Sequence, residues 1–481
     1  MSKLVVGPFN RVEGDLEVRL EIDRGQVTSA RVNSPLYRGF EQILHGKEPM
    51  DTLVIAPRIC GICSVSQSTA AARALADLSG CAMPANGELA CNLMLACENL
   101  ADHLTHFYLF FMPDFARTVY AGEPWYNWLE PRFRAMTGSA PRAAIPARTE
   151  LLHLMGTLAG KWPHSLSLQP GGSTRAVRQS ERLRLMAILS ACRRFLERQT
   201  FGDSLEALVA LDSASALTAW AEAASPQQSD LRAFLHLASR LRLDQLGRGP
   251  ERFMSYGSLA VDGEPLFRRW LWHRGPAPLD QAAIVEDLSH SWMRGSEPLH
   301  PSRGITLPDA DKPDAYSWCK APRLAGQPVE VGALARQLVD GHPLIRDLLA
   351  TGGGSVRDRV VARLLESARL LIAMEAWVRA LRPEEPFCNP VEPPNDGVGV
   401  GLVEAARGSL GHWLQVRHGH ILNYQIIAPT TWNFSPRDQH GTPGPLEQAL
   451  VGAPVRADEQ TPVAVQHIVR SFDPCMVCTV H

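Results

Sequence analysis

Two Cys-x-x-Cys pairs stand at opposite ends of a 481-residue chain, 415 positions apart counted from Cys60 to Cys475. Cys60-Gly61-Ile62-Cys63 follows the apolar run Leu53-Val54-Ile55-Ala56, and Cys475-Met476-Val477-Cys478 stands close to the last residue, His481. Ten cysteines in such a length fall far short of a disulfide scaffold. In an intracellular chain such pairs read as metal or redox sites. Three chemistries compete. A structural Zn(Cys)4 site suits four thiolates, but zinc ribbons join pairs that are close in sequence. A redox dithiol at Cys60/Cys63, with a strand before it, leaves the second pair without a role. The third is a redox metal centre built where the chain ends meet, four soft thiolates holding nickel and two of them bridging to a second metal.

The rest of the chain bounds the answer. It carries 48 Lys+Arg against 50 Asp+Glu, a formal net charge of -2, without the basic surplus of a nucleic-acid binder. Hydrophobic residues make up 45% and the mean hydropathy is -0.10, enough for large cores and too much for disorder. No apolar run approaches the roughly 20 residues of a membrane helix. The start, Met1 to Pro8, does not read as a secretory signal, so a cytoplasmic location is expected unless a partner carries the chain. Leu16, Val18, Leu20 and Ile22 alternate with charged residues, the period of a half-buried strand, and Val27 to Val32 can return after a turn. A late strand pair is expected at Trp413 to Val416 and Ile421 to Ile427. Helical spacing marks Leu89 to Phe107, Leu185 to Leu196 and Val361 to Ile372. The expected fold is therefore mainly α: one domain over 1–481, a long-helix bundle core with small β-sheet pieces near both termini. The stretch from about 203 to 330 reads as irregular, and Thr351-Gly352-Gly353-Gly354-Ser355 as a flexible turn rather than a phosphate loop.

The neighbours of the cysteines decide among the chemistries. Arg58-Ile59 precedes the first pair and Asp473-Pro474 the second. Arg11-Val12-Glu13-Gly14, Arg38-Gly39-Phe40-Glu41 and Glu404-Ala405-Ala406-Arg407-Gly408-Ser409-Leu410-Gly411-His412-Trp413 complete an ordered set. This set closely resembles the large subunit of nickel-iron hydrogenases, from about residue 7 to 481, densely at both ends and thinly between about 203 and 390. The resemblance implies that Cys60, Cys63, Cys475 and Cys478 hold nickel. Cys63 and Cys478 would also bridge to an iron carrying one CO and two cyanides, installed by maturation proteins. H2 would be split heterolytically, with Cys475 taking the proton and Glu13 relaying it. Arg407 matches the pocket arginine, with Asp102 and Asp473 as its acidic partners. Pro429 and Thr430 match the loop lining a cyanide. Glu41, the Ile426 carbonyl and His481 match a distant Mg2+ (or Fe2+) site. Fe–S clusters are expected in a partner small subunit, since this chain has no further cysteine cluster.

Several positions depart from the family pattern. Gln67 replaces a His four residues after Cys63, Asp15 replaces the His of R-x-E-G-H, and Ala406 replaces a Pro. Gln67 can donate a hydrogen bond to a bridging thiolate but cannot titrate near neutrality. Ile62 and Phe110 are bulkier than the usual Val and Leu and would narrow the gas path, slowing O2 more than H2. Together with Gln67 they resemble the H2-sensing branch, which would signal to a histidine kinase. The end at His481, without the extension usual in catalytic members before processing, fits a sensor or a mature chain. The expected function is H2 binding and cleavage by a cytoplasmic H2 sensor. The alternatives are an energy-conserving uptake hydrogenase and, from another class, a non-catalytic zinc-stapled structural subunit.

Overall fold

A computed structural model describes every residue except Met1, Thr351 and Asp458. Four long helices form the centre: Ala85–Thr105, Ser139–Ala159, Gln179–Phe195 and Val356–Ala380. Ala85–Thr105 packs on both Ser139–Ala159 and Val356–Ala380, and Gln179–Phe195 packs on the latter two. Leu93, Leu100, Leu104, Leu185, Leu189, Leu364 and Leu371 fill the space between them, as their spacing predicts. Val356–Ala380 begins with a capping box, Ser355 accepting from the Asp358 N–H and Asp358 accepting from the Ser355 N–H.

Small antiparallel sheets flank the bundle. The first joins Ser2–Val6, Glu17–Asp23 and Gln26–Asn33, with Val18 opposite Val32 and Leu20 opposite Ala30. The late sheet is a three-stranded meander of Gly397–Ala405, Gly408–Arg417 and His420–Ile427. Both expected hairpins are present.

Three expectations need correcting. The middle of the chain is ordered: it carries the helix Asp230–Arg240 and a hairpin of two ten-residue strands, Arg252–Val261 and Glu264–His273. Strand is thus not confined to the two ends. Leu53 to Ala56 is not a strand; Thr52–Ile55 is helical and runs into a 3-10 turn at Ala56–Ile59, which removes the strand a thioredoxin-like dithiol would need. In the glycine-rich stretch Thr351 lies outside the described residues, but 353–355 are buried rather than loose. A side chain at Gly353 would meet the Gly249 carbonyl at 2.4 Å, so glycine serves close packing there.

The helix Ser64–Ser79, which carries Gln67, has no large apolar stripe. Its buried residues are mostly small, Ser66, Ala70, Ala71 and Ala74 among them. It is buried because Gly397–Ala405 lies directly on it. Gly399 and Gly401 share one face of that strand, and a Cβ there would stand 2.1 Å from the Ala74 carbonyl and 1.9 Å from that of Ala70. Small residues on both sides let backbone touch backbone and hold the helix after Cys63 in place. Gly401→Val should therefore lower stability by about 1–3 kcal/mol through overpacking. Val398→Ala, on the exposed face of the same strand, should change it by less than about 0.5 kcal/mol. Urea unfolding with equal midpoints for the two variants would refute this account of the helix.

Candidate metal centre

The chain ends meet through backbone. The Glu13 N–H donates to the Pro474 carbonyl at 3.4 Å, and the Met476 N–H donates to the Glu13 carbonyl at 2.7 Å, a parallel bridge between Glu13 and Cys475. Gly14 follows with φ +80°, where a Cβ would stand 3.1 Å from Met476 Cβ; only glycine suits both demands. Arg38 clips the two cysteine segments, its guanidinium donating to the carbonyls of Ile59 (2.6 Å) and Val477. Arg11, two residues before Glu13, donates to the Phe110 carbonyl at 3.2 Å and pairs with buried Asp114.

All four cysteines converge in the interior, their sulfurs within 4.8 Å of one another. Cys60 and Cys475 are 3.5 Å apart, Cys475 and Cys478 3.2 Å, and Cys63 and Cys478 3.0 Å. None is in a disulfide. Hydrogen bonds from Cys475, then Cys478 and Cys63, pull Cys60 well below the usual thiol range, while burial above all pushes Cys478 well above it. Four sulfurs this close cannot all carry charge unaided; a soft divalent cation resolves the conflict. A tetrahedral zinc with bonds of about 2.3 Å would set six equal S···S edges of about 3.8 Å. Three of the edges here, at 3.0, 3.2 and 3.5 Å, fall below that value, so the sulfurs are gathered tightly without singling out one pair.

Arg407 lies against this cluster. It donates to Asp102 at 2.5 and 3.1 Å, to Asp473 Oδ1 at 3.2 Å and to the Asp473 carbonyl at 2.8 Å. All three side chains are buried. Two acids share one cation, so they divide. Burial pushes Asp102 up to about 7 against the pull of Arg407, with Asp473 adding to the rise. Burial would also raise Asp473, but Arg407 and then His106 hold it below the ordinary carboxylate range. Thr430 Oγ1 accepts from the Cys475 N–H at 3.1 Å, which leaves its own hydroxyl proton free to donate. Pro429 opens the same buried short helix, Pro429–Asn433.

Gln67 Oε1 pairs with His412 Nε2 at 2.9 Å, and its Nε2 is buried without a partner among the described residues. Burial, then His481, pushes His412 down to about 3, so its ring is neutral. Glu13 is half-buried; burial and then Cys60 raise its carboxyl, against Arg407. Ile62 is half-buried, and its N–H donates to Cys60 Sγ at 3.3 Å. Phe110, also half-buried, lies in a π-helical turn, His106–Phe111, a distortion frequent near functional sites.

Glu41 and His481 come together as a second site. Glu41 Oε1 is 3.3 Å from His481 Nε2 and accepts from the Ile426 N–H at 2.8 Å. His481 Nδ1 lies 3.0 Å from the Cys478 carbonyl, so it donates there and Nε2 is the ring atom turned towards the carboxylate. Lys320 is in the same cage, 3.0 Å from Glu286 and 3.3 Å from Glu41. Burial would raise Glu41, but Lys320 and His481 hold it at about 2. A cavity of about 400 Å³, lined by Glu41, Gln42, Thr306 and Gln425 among others, opens beside it.

Sequence reasoning missed Glu98, Lys320 and His412 as parts of these sites. Glu98 is buried one turn before Asp102 and accepts from the Val65 and Ser66 N–H groups at 2.8 Å, the Ser66 hydroxyl at 2.8 Å and Trp162 Nε1 at 3.1 Å. A charged residue inside the apolar stripe of Ala85–Thr105 was the available signal.

The comparisons agree with this geometry. The family model for nickel-dependent hydrogenases matches residues 38–124 and 115–481. The chain is 30% identical to the periplasmic [NiFeSe] hydrogenase large subunit of Desulfomicrobium baculatum, over all of this chain and 95% of that one. It is 26% identical to the hydrogenase-2 large chain of Escherichia coli K12, again over its full length and 97% of that protein. The Ni-Fe-Se hydrogenase of D. vulgaris Hildenborough in its reduced state superposes with a TM-score of 0.85 at 29% identity, each chain fully covered. With that match over most of its length, and with a cluster of four buried cysteines built from its two ends, the chain belongs to the nickel-dependent hydrogenase family, as a hydrogenase large subunit.

Proposed function

We propose that this large subunit, a single domain over 1–481, cleaves H2 heterolytically at a nickel–iron centre held by Cys60, Cys63, Cys475 and Cys478, and does so as a cytoplasmic H2 sensor. The observation that carries the chemistry is the cluster of four buried cysteine sulfurs within 4.8 Å of one another, joined through backbone to a carboxyl of raised pKa, Glu13. Nickel would take all four sulfurs, and iron, with one CO and two cyanides, the Cys63/Cys478 edge. When bound, the pair supplies a Lewis-acidic face that polarises H2.

The protein's own groups do the rest. Cys475 Sγ is the base that takes the proton. Its backbone is fixed by Thr430 on one side and by Glu13 on the other, so the receiving carboxyl is held next to the donor's segment. A carboxyl raised by burial exchanges protons closer to neutrality than a solvated one. Arg407, anchored by Asp102 and Asp473, presents a fixed cationic surface beside the sulfurs. Thr430 keeps a free hydroxyl proton for a cyanide, with Pro429 shaping the wall. Gln67 offers an uncharged donor beyond Cys63. Glu41, His481 and the Ile426 peptide would hold Mg2+ or Fe2+, suited by a carboxylate, a carbonyl and waters. Electrons would leave through an iron–sulfur small subunit, because the four-cysteine group is the only such cluster among the described residues. Maturation proteins would install the diatomic ligands. No helix of the described residues is long and apolar enough to cross a membrane.

Sensing is supported by Gln67 in place of a titrating His and by the bulk of Ile62 and Phe110. A histidine kinase would receive the signal. The second reading, an uptake hydrogenase, is favoured by the names of relatives such as the uptake hydrogenase large subunit of Rhizobium leguminosarum, 27% identical over this whole chain.

An infrared spectrum of the metal-loaded protein with its small subunit tests the centre. One CO band and two cyanide bands that shift under H2 are expected; nickel- and iron-loaded protein without them would refute it. Glu13→Gln should keep the metals and the bands while suppressing H/D exchange with solvent by about 100-fold or more, the scale of a lost general acid–base group. Exchange at the wild-type rate would remove Glu13 from the proton path. Ile62→Val with Phe110→Leu should speed inactivation by O2 while leaving H2 oxidation under argon intact. Unchanged O2 tolerance would show that these side chains do not gate the path.

A further inference from the structure

We infer that Tyr424 and His412 are positioning residues: a buried hydrogen-bond relay that fixes the Gln67 carboxamide with its amino end, not its carbonyl, left free one helical turn from Cys63. The inference rests on the nickel–iron reading for its consequence, but not for its geometry.

A carboxamide has two chemically opposite ends. Beside thiolates the difference matters, because the NH2 end donates to sulfur and the carbonyl end repels it. Gln67 follows Cys63 by four residues on one helix, and its N–H donates to the Cys63 carbonyl at 3.1 Å, so it lies one turn along from the cysteine. Nothing in Gln67 itself selects an end. The selection comes from the late sheet. His412 lies on Gly408–Arg417 opposite Ile426, and Tyr424 lies on His420–Ile427 opposite Leu414. The two are diagonal neighbours on adjacent strands, within reach of each other. Both are buried, with ring centroids 5.5 Å apart and planes at 75°.

The Tyr424 hydroxyl is 2.7 Å from His412 Nδ1 and has no other hydrogen-bond partner among the described residues. A buried hydroxyl proton needs an acceptor, and Nδ1 is the one in reach. Tyr424 therefore donates to Nδ1. A neutral imidazole has a single proton, which must then sit on Nε2. Nε2 is 2.9 Å from Gln67 Oε1, so the ring donates and the carbonyl end of Gln67 accepts. The amino end is what remains, buried and unpaired among the described residues. In the reverse arrangement Nδ1 would donate to Tyr424, strand the hydroxyl proton, and leave the Gln67 carbonyl as the free end. One tyrosine hydroxyl, two residues removed from the cluster, thus decides the polarity of the group offered to it.

Infrared spectra of the metal-loaded heterodimer test this with a double-mutant cycle. Tyr424→Phe should shift the CO and cyanide bands when Gln67 is present. The same substitution made on a Gln67→Ala background should shift them no further. Unshifted bands with Gln67 present, or equal shifts on both backgrounds, would overturn the relay. Metal-loaded wild type without CO or cyanide bands would instead refute the nickel–iron reading, and with it the relay's effect on that centre. A second measurement needs neither metals nor variants that fold poorly. Histidine-selective 15N labelling of the full chain, with His412 assigned by difference, should show Nε2 protonated and Nδ1 bare. The opposite tautomer would overturn the relay whatever the metals do.

Discussion

The structure depends on four sulfurs being held together in a dry interior by segments from opposite ends of the chain. Like-charged thiolates at such spacing repel strongly where water cannot screen them. The fold opposes this by tying the backbone of the two cysteine segments together. The Glu13–Cys475 bridge is a fragment of sheet pairing, and Arg38 ties one carbonyl from each cysteine segment. Both ties end on backbone carbonyls or N–H groups, so the backbone of the two cysteine segments is set before any ligand is bound, as a preorganised metal site requires.

Behind the sulfurs lies a buried polar layer, which explains the unusual helices. Ala85–Thr105 is buried on nearly every side, yet it turns Glu98, Asp102 and His103 inward. His103 meets Glu366, Glu366 meets Arg336, and Arg336 meets Glu404. Each charge in this chain has a partner of opposite sign, the condition under which buried ions are tolerated. Removing one member would strand another in low dielectric. The layer therefore contributes geometry more than stability: it holds Arg407 and its acids at fixed positions against the cluster.

Much of this was legible in the sequence, for identifiable reasons. The three helices with large apolar residues at helical spacing were readable because their burial is by Leu, Ile and Phe. The cysteine pairs and their neighbours were readable because chemistry demands specific residue types there. Ser64–Ser79 was not, since burial by Ala and Ser against glycine leaves no hydrophobic period. The strand Gly397–Ala405 was hidden by the same glycines, which weaken strand propensity while making the contact possible. Ser139–Ala159 was hidden by Pro141 and Pro146. The hairpin at Arg252–Val261 and Glu264–His273 lay where the family pattern is thin. Convergence of Tyr424, His412 and Gln67 could not be read, because strand register sets it and register is a property of the folded sheet.

The capping of Ser64–Ser79 by Glu98 bears on the reactivity of Cys63. A cysteine at the start of a helix ordinarily becomes acidic and nucleophilic, because free N–H groups and the helix dipole favour its thiolate. Here the N–H groups of Val65 and Ser66 are already spent on the Glu98 carboxyl, whose own pKa burial pushes up to about 7. The helix thus lends Cys63 no acidity. Hydrogen bonds from Cys475, Cys478 and Cys60, and then burial, push its thiol well above the usual range, so a bound cation would have to supply the stabilisation of its thiolate. The same helix that places the residue thus leaves the stabilisation of its thiolate to whatever the sulfur cluster holds.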